Sequence, residues 1–326
     1  MLAYIVRRLL WTPVVLLAVS FFTFVLGYYG PGDPVVVLMG QHNDPAVVER
    51  IRRDMGLDRP LYEQYARYVW NVLHGDFGES FRYRGTPVSE LLLSKVWVSA
   101  QLGTVAMMIS VVVGLSLGLL AAFHQGRWAD TFTVTVALFL GSLPVFITQP
   151  LLVLVLSRWL NLVPSSGWDG LFSLKIIMPA LVLSLGSIGV LTRLMRASTL
   201  DVIKQDYVRT AHAKGLDNVT VVLDHVTRNA VLPVFTVVGL SLATLVEGAF
   251  IAETLFGIPG VGRLAVEAFF QRDYPVITAM VLLTASAYVV ANLLVDIGYT
   301  FLDPRIRFNS GADPHDLRDT ARTGRV

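Results

Sequence analysis

Cysteine is absent from this chain of 326 residues. Without a thiol there is no disulfide, no thiolate metal ligand and no cysteine nucleophile, so thiol-based redox chemistry is excluded. Charge is also scarce, because only 15% of the residues are charged while 54% are hydrophobic. A soluble domain of this size is rarely so apolar, and the composition therefore indicates an integral membrane protein, which the long apolar runs described below predict to be all-α.

Motifs for catalysis are missing as well. The sequence has no GxxxxGK[ST] phosphate-binding loop and no HExxH zinc motif, and its six histidines lie outside the apolar runs. A GxSxG match at residues 114–118 lies inside an apolar run, whereas a nucleophile elbow needs a strand and a sharp turn. A GxGxxA match at residues 260–265 lacks a βαβ context. We therefore expect no enzymatic activity, and no cofactor or metal bound by this chain.

Long apolar runs are what the sequence has in abundance. The first follows Arg7 and Arg8 and continues through aromatic residues, which favours a permanent anchor over a cleaved signal peptide. Six Lys or Arg residues between positions 192 and 228 place that connection, and with it both termini, in the cytoplasm. Six runs are predicted to be transmembrane helices, at residues 9–29, 96–123, 131–156, 176–194, 231–251 and 276–302.

Three segments lie outside these runs. Residues 30–95 are too long for a tight loop and predict an extracytoplasmic helical insertion between the first two spans. Residues 195–230 form the main cytoplasmic loop. Residues 309–326 are polar without an apolar period, which predicts a disordered cytoplasmic tail after a membrane domain of residues 1–308. With a net charge of only +2 and basic residues beside the apolar runs, no nucleic-acid partner is expected.

Small residues in the second run predict close helix packing. They recur every four residues, the pattern that lets two helix backbones approach in lipid. The positions are Ala106, Ser110, Gly114, Gly118 and Ala122.

Polar residues within the apolar runs are candidates for a translocation pathway. A charged side chain facing lipid at a helix centre would cost about 2.5–3.5 kcal/mol, so such residues should face protein or water. Glu247, near the middle of its run, is a candidate contact for a cationic group of the cargo. For Asn292 and Asp296, bracing a neighbouring helix is the favoured alternative. The predicted pathway residues are Glu247, Thr244, Ser142, Gln149, Asn292 and Asp296.

Residues 206–233, between the fourth and fifth runs, alternate charge with short apolar stretches and contain Gly215, where a helix would break. This pattern predicts a helical hairpin outside the membrane that passes a push from a soluble partner to the spans. The alternative is a solvated basic loop that only fixes the topology.

This hairpin resembles the cytoplasmic loop of binding-protein-dependent ABC importer permeases, whose pattern is E-A-A, three residues, Gly and a later Leu-Pro. Here the matching residues are Arg209-Thr210-Ala211, Gly215 and Leu232-Pro233. Arg in place of Glu, and a longer gap before Leu-Pro, resemble the peptide/nickel branch. Further matching pieces are YIVRRLL at 4–10, PGDP at 31–34, GLDRP at 56–60, GDFGES at 75–80, ETLFGIPGVG at 253–262, RDYP at 272–275 and LDPR at 302–305. The chain is similar to the first, B-type, permease subunit of a dipeptide or oligopeptide importer.

The resemblance implies a type I ABC importer permease fold and a set of partners. These are a second, C-type permease, two ATPase subunits that bind ATP and Mg, an extracytoplasmic binding protein and the bilayer of the inner membrane. The short helix at residues 204–213 would couple to the ATPase, with Gly215 allowing the turn. The coupling residues would be Lys204, Asp206, Tyr207, Arg209, Thr210, Ala211, Lys214 and Gly215. An outer gate or docking surface for the binding protein would include Glu253, Phe256, Pro259, Gly260, Arg272 and Asp273.

Two alternatives stay open at this point. The same machinery carries nickel complexes or oligosaccharides in some members of this branch. A proton-coupled secondary transporter could instead use Glu247 and Asp296 as a relay, although the internal repeats and broken helices of such folds are not evident.

Overall fold

The computed structural model describes residues 2–29, 35, 45–54, 56–247 and 249–302. Within these ranges the regular structure is helical, apart from one β-bridge between Glu79 and Pro87. The predicted tail at residues 309–326 lies outside the described residues.

Twelve α-helices of seven residues or more organise the described part of the chain. They are α1 (Leu2–Tyr29), α2 (Pro45–Asp54), α3 (Leu61–Leu73), α4 (Val88–Phe123), α5 (Trp128–Ser142), α6 (Val145–Leu152), α7 (Ile177–Ile203), α8 (Asp206–Ala213), α9 (Arg228–Glu247), α10 (Phe250–Phe256), α11 (Val261–Gln271) and α12 (Tyr274–Leu302). A π-helical segment, Val153–Trp159, continues α6. Another, Val221–Thr227, joins the short helix Asn218–Thr220 to α9.

Five helical segments in the described ranges are long and apolar enough to cross a membrane. They correspond to the first, second, fourth, fifth and sixth predicted runs. The third run is not one straight helix, because α5 and the helix from Val145 to Trp159 meet at 105°. Pro144 is the physical reason: it supplies no N–H and holds Leu143 in an extended conformation, with ψ 124°. Counting this bent pair as one span gives six.

Several helices run past the predicted edges of the membrane. Helix α4 begins at Val88, eight residues before the predicted residue 96, and α7 continues to Ile203 instead of ending at residue 194. The predicted cytoplasmic loop 195–230 is therefore largely helical. It turns only between the end of α7 and Asn218.

The most extensive helix contact joins α4 to α7. Glycines make it possible: an added Cβ at Gly118 would lie 2.6 Å from Met195 Cβ and 2.7 Å from the Thr192 carbonyl oxygen. At Gly114 it would lie 2.8 Å from Leu191 Cβ. All five small residues of the predicted packing pattern are buried, so that prediction is confirmed. We call this contact the glycine seam.

Helix α12 packs between α9 and α1 on the other side of the fold. Gly239 of α9 faces Val295, and Gly298 of α12 faces Phe235, so each helix offers a glycine to a bulky side chain of the other. At the opposite end of α12, Gly27 of α1 lies against Thr278. Many apolar side chains on the outer surface of α1, α4 and α5 are exposed, as expected of helices that face lipid or other membrane subunits.

Candidate coupling and translocation site

A short helix, α8, connects the two long helices α7 and α9. It begins after Gln205, whose extended backbone (φ −72°, ψ 145°) ends the helical path of α7. Asp206 lies in its first turn, where a carboxylate is favoured by the helix dipole.

Gly215 ends α8. Its φ of +81° is left-handed, a conformation that glycine adopts without strain. The Gly215 N–H donates to the His212 carbonyl at 2.9 Å and the Leu216 N–H donates to the Ala211 carbonyl at 3.4 Å, the two bonds of a Schellman motif. An added Cβ would have no neighbour within 4 Å in the described structure. Glycine is therefore required at position 215 because of its left-handed backbone conformation, and not because a side chain would lack room within this chain.

Asp217 starts the next helix two residues later. Its carboxylate accepts hydrogen bonds from the backbone N–H groups of Val219 and Thr220, as an N-cap does. The Thr220 hydroxyl also donates to it at 2.5 Å. The Thr220 hydroxyl bond and these backbone N–H groups lower the pKa of Asp217. The predicted helix break at Gly215 is confirmed, and the next helix starts at once after it, while the position of this hairpin outside the membrane stays a prediction.

The inner face of α8 is apolar. Val208 and Ala211 are buried against Val221 and Val226 of the returning π-helical segment. Partial burial raises the pKa of the Tyr207 hydroxyl. Helix α8 and the returning arm therefore form one packed unit, which we call the hairpin.

The outer face of α8 is polar and exposed. The side chains of Asp206 and Arg209 are 99% and 76% exposed and form only a loose ion pair at 3.9 Å. Ala211 is the exception among the predicted coupling residues, because it is buried and faces the hairpin instead of a partner. The other predicted coupling residues are exposed, namely Lys204, Asp206, Tyr207, Arg209, Thr210, Lys214 and Gly215. Their contact with an ATPase stays a prediction.

A buried ion pair fixes α7 a few turns before the hairpin. The Asp130 carboxylate, in the first turn of α5, receives two hydrogen bonds from the Arg196 guanidinium, from Nε at 2.6 Å and from a terminal nitrogen at 2.7 Å. It also accepts the backbone N–H of Gly126 at 3.1 Å. The Asp130 side chain is only 6% exposed. This bidentate pair, which we call the clamp, ties the α4–α5 turn to the helix that leads into α8.

A cavity of about 470 Å³ lies between α4, α7 and α9. Its wall combines aliphatic side chains with small and hydroxyl-bearing residues. The small and hydroxyl-bearing residues include Ser99, Gly103, Ala106, Ser110, Gly186, Ser187 and Ser241. The hydroxyl groups of Ser99, Ser110 and Ser241 already donate to other groups of this chain, so to a bound molecule they would offer their oxygens as acceptors.

Of the predicted pathway residues, the four whose side chains the structure describes, Ser142, Gln149, Asn292 and Asp296, do not line this cavity. The Ser142 hydroxyl donates to the Phe139 carbonyl, and the Asn292 amide donates to the Tyr288 carbonyl, so both bond within their own helices. Gln149 is buried, with its side-chain oxygen unpaired among the described residues. Asp296 is half-buried. The side chains of Thr244 and Glu247 lie outside the described part of the structure.

Glu253 is fully buried and joins three elements at the outer end of the cavity. Its carboxylate accepts the Ser99 hydroxyl of α4 at 2.7 Å, the Ala249 N–H at 3.1 Å and the Arg263 N–H at the start of α11 at 3.0 Å. The Ser99 hydroxyl oxygen in turn accepts the Val261 N–H at 2.8 Å. A side chain at Gly260 would collide with the carboxylate. This network explains why the ETLFGIPGVG segment needs its acidic residue and its second glycine.

Asp273 plays a similar part between α11 and α12. Its buried carboxylate accepts the Ser80 hydroxyl at 2.5 Å and the backbone N–H groups of Phe81 and Arg82 at 3.1 and 3.3 Å. The loop of the extracytoplasmic insertion is thereby fastened to the end of α11. The neighbouring residue, Arg272, is exposed and holds a left-handed φ of +56°.

A second contact fastens the same loop to α11. The Tyr83 hydroxyl donates to Glu267 at 3.2 Å, and the Arg263 guanidinium donates to the other oxygen of Glu267 at 2.8 Å. Partial burial, followed by the charge of Glu267, raises the pKa of Tyr83. Together the two contacts fix the insertion loop in position against α11.

The predicted outer residues therefore divide into two groups. Glu253, Phe256, Gly260 and Asp273 are buried, so they shape the outer segment from within. Pro259 is half-buried and Arg272 is exposed, so these are the members of the set that a binding protein could reach.

Comparison with known proteins decides the family. The description "Binding-protein-dependent transport system inner membrane component" matches residues 114–308, and its N-terminal counterpart matches residues 1–88. The chain belongs to this family. A permease of this kind is a non-catalytic membrane component that works with a binding protein and an ATPase. Its place is the inner membrane.

Curated relatives match along nearly the whole chain. The dipeptide transport system permease protein DppB of Escherichia coli K12 is 37% identical, covering 94% of this chain and 99% of the relative. The glutathione transport system permease protein GsiC of the same strain is 38% identical, over 94% of this chain and all of the relative. A probable peptide ABC transporter permease of Sinorhizobium fredii, y4tP, is also 38% identical, with 94% and 99% covered.

Solved structures confirm the fold. The MetNI methionine ABC transporter, in an inward-facing crystal form, matches with a TM-score of 0.52 at 16% identity. The match covers 65% of this chain and 96% of the MetNI chain. The type I importer permease fold predicted from the resemblance is thus shown.

The sequence did not predict the residues that form hydrogen bonds or ion pairs with distant parts of the chain. Ser99, Ser80, Asp130 and Arg196 gave no local signal, because each is a single polar residue whose partner is far away in the chain. The described residues contain no group of His, Cys, Asp and Glu that could hold a metal.

Proposed function

We propose that this chain is the B-type permease of an importer for dipeptides or short oligopeptides. The curated relatives that it matches over 94% of its length carry dipeptide, glutathione and peptide names. The hydroxyl-bearing cavity between α4, α7 and α9 supports a small polar cargo with amide groups, which serine hydroxyls can hydrogen-bond.

The chain supplies one half of the pathway in this proposal. A second, C-type permease would complete the walls, two ATPase subunits would bind the ATP and Mg, and an extracytoplasmic binding protein would deliver the peptide. No cofactor is bound by this chain itself. The incomplete enclosure of the cavity by α4, α7 and α9 supports the need for a second permease.

The hairpin carries the coupling step. Its polar outer face is free to enter a groove on an ATPase, while its apolar inner face is packed on the returning arm of the hairpin. Movement of the ATPase then moves α8 as part of a packed unit and not as a loose loop. This two-faced architecture is the observation on which the coupling proposal rests.

Gly215 allows a sharp test of docking. In the described structure an added side chain at Gly215 meets nothing within 4 Å, so Gly215→Ala should cost only the left-handed strain, about 1 kcal/mol. Gly215→Trp should cost similar stability within the chain but should collide with a closely fitted ATPase. We therefore expect Gly215→Trp to insert normally and to lose peptide uptake and ATPase association, while Gly215→Ala keeps most of both.

Gly170 provides the matched control. It also has a left-handed φ, +96°, with no neighbour for an added Cβ within 4 Å, and it lies in the loop between Trp159 and α7, away from α8 and the clamp. Gly170→Trp should keep ATPase association, measured by copurification of the complex. Normal uptake and association in Gly215→Trp would refute the docking role of the hairpin.

A further inference from the structure

Helix α3, in the extracytoplasmic insertion, packs directly on the membrane span α1. The Tyr65 hydroxyl donates to the Leu17 carbonyl at 2.8 Å and lies 2.7 Å from the Ser20 hydroxyl. The Tyr65 ring lies 5.2 Å from the Phe21 ring and 5.6 Å from the Phe24 ring, measured between centroids. These contacts fix α3 at a definite position along α1.

That position lies inside the apolar thickness of α1. The apolar window of α1 runs from Leu10 to Gly27, and Gly27 lies against Thr278 near the outer end of α12. Ser20 comes seven residues before Gly27, which at 1.5 Å per residue is about 10 Å nearer the membrane centre. Because the hydrocarbon core is about 30 Å thick, the Tyr65 hydroxyl reaches well into its outer half.

A second face of α3, about a quarter turn round the helix from Tyr65, is apolar and has no cover from the described residues. Tyr62, Trp70 and Leu73 are 69%, 65% and 75% exposed. With Ala66 they follow one another at spacings of four, four and three residues, so they share one face of the helix. We call this face the α3 strip.

The composition of the α3 strip fits the boundary between headgroups and acyl chains. Tyrosine and tryptophan are enriched at that depth because their rings are apolar and their polar groups reach water. Glu63 and Arg67 border the strip on the polar side of α3. Arg59 lies just before the helix, 4.0 Å from the Glu63 carboxylate, and the long arginine side chains can reach lipid phosphates while the helix stays immersed. Exposed Phe22 on α1 shows that the neighbouring surface of that span is also apolar.

We propose that α3 is an interfacial helix seated in the outer leaflet, with the α3 strip in contact with lipid. The insertion is then held by the membrane as well as by the protein. Its loop, which is fastened to α11 through Asp273 and Tyr83, is thereby kept at a fixed height above the bilayer. The position of α3 in the outer leaflet does not depend on which cargo is transported.

The absence of native cysteine makes the test direct. Nitroxide labels would be placed on Tyr62→Cys and Trp70→Cys in the full-length chain, isolated with the subunits that copurify with it and reconstituted in phosphatidylethanolamine and phosphatidylglycerol vesicles. Collision with oxygen, which concentrates in lipid, would be compared with collision with a water-soluble nickel complex. Phe22→Cys on α1 is the lipid reference, and Arg82→Cys, on the exposed loop, is the aqueous reference.

We expect labels at positions 62 and 70 to behave like the label at 22, with an oxygen-to-nickel collision ratio several-fold above that at 82. A ratio equal to that at 82 would place the strip in water and overturn the proposal. Low collision with both reagents would also overturn it, because the strip would then be covered by another protein subunit. Equal collision ratios at positions 62 and 70 would show that neither substitution has disturbed the structure around its own label.

Discussion

Asp273 illustrates how one buried carboxylate can organise a loop. Its two oxygens receive three donors from residues 80–82, which lie about 190 positions earlier in the chain. An exposed carboxylate would gain little from such bonds, but a buried one depends on them, since an unsatisfied buried acceptor is costly.

Asp273→Asn should therefore destabilise the protein. The amide nitrogen would face backbone N–H groups and leave at least one donor without an acceptor, at a cost of about 1–3 kcal/mol. Thermal unfolding in detergent measures the change. Asp169→Asn is the control: this carboxylate is 58% exposed in its pair with Lys175, and its loss should cost about 0–1 kcal/mol. Equal effects of the two substitutions would show that the Asp273 network adds nothing.

At the scale of single helices, the clamp between Asp130 and Arg196 lies on the path that hairpin motion would take in the coupling proposal. Helix α7 is continuous from Ile177 to Ile203, so a push on α8 would be carried along α7 to Arg196 within two turns. The clamp would then pass it to the first turn of α5. The bend between α5 and α6 at Pro144 follows on the same path.

Breaking the clamp should uncouple transport from hydrolysis. Asp130→Asn removes a charge-assisted bidentate pair, with an expected stability loss of about 1.5–3 kcal/mol. We expect ATP hydrolysis by the assembled complex to continue while peptide uptake per ATP falls. Arg193→Gln is the matched control, since Arg193 is on the same helix and donates only to the Gly189 carbonyl of its own helix among the bonds described. An unchanged uptake-to-hydrolysis ratio in Asp130→Asn would exclude the clamp from the path.

How well these elements can be predicted from the sequence depends on how far apart in the chain the interacting residues are. Gly215 as a helix stop and the small residues of α4 are local signals, and the structure confirms both. The bend at Pro144 was not predicted, because a hydropathy run stays apolar through a single proline. Pairs such as Asp130 with Arg196, or Ser99 with Glu253, are separated by 66 and 154 residues. Nothing local marks such partners, so only the folded chain identifies them.

At the scale of the whole molecule, the chain is a permease without an energy source of its own. No phosphate-binding loop is present in the sequence, and the cavity is enclosed by three helices of this chain only in part. An ATPase component of the transport system supplies the energy, and in our proposal a second permease completes the enclosure of the cavity.

Reconstitution tests that account. The chain alone in liposomes should show no uptake of a radiolabelled dipeptide above empty vesicles, with or without ATP. Uptake should appear when the companion permease, the ATPase subunits and ATP, together with the binding protein, are supplied. Dipeptide uptake by the isolated chain, driven by a proton gradient and needing no ATP, would instead establish a secondary transporter.

The glycine seam limits how the protein can change shape. Backbones as close as those at Gly114 and Gly118 leave no room for one helix to slide or roll on the other, because any such movement drives Leu191 or Met195 into the opposing main chain. Helices α4 and α7 must then travel together as a single rigid body. Opening and closing of the permease would be concentrated at its borders, at the Pro144 bend and along the α9 and α12 contact, and those joints are where crosslinks should arrest the cycle.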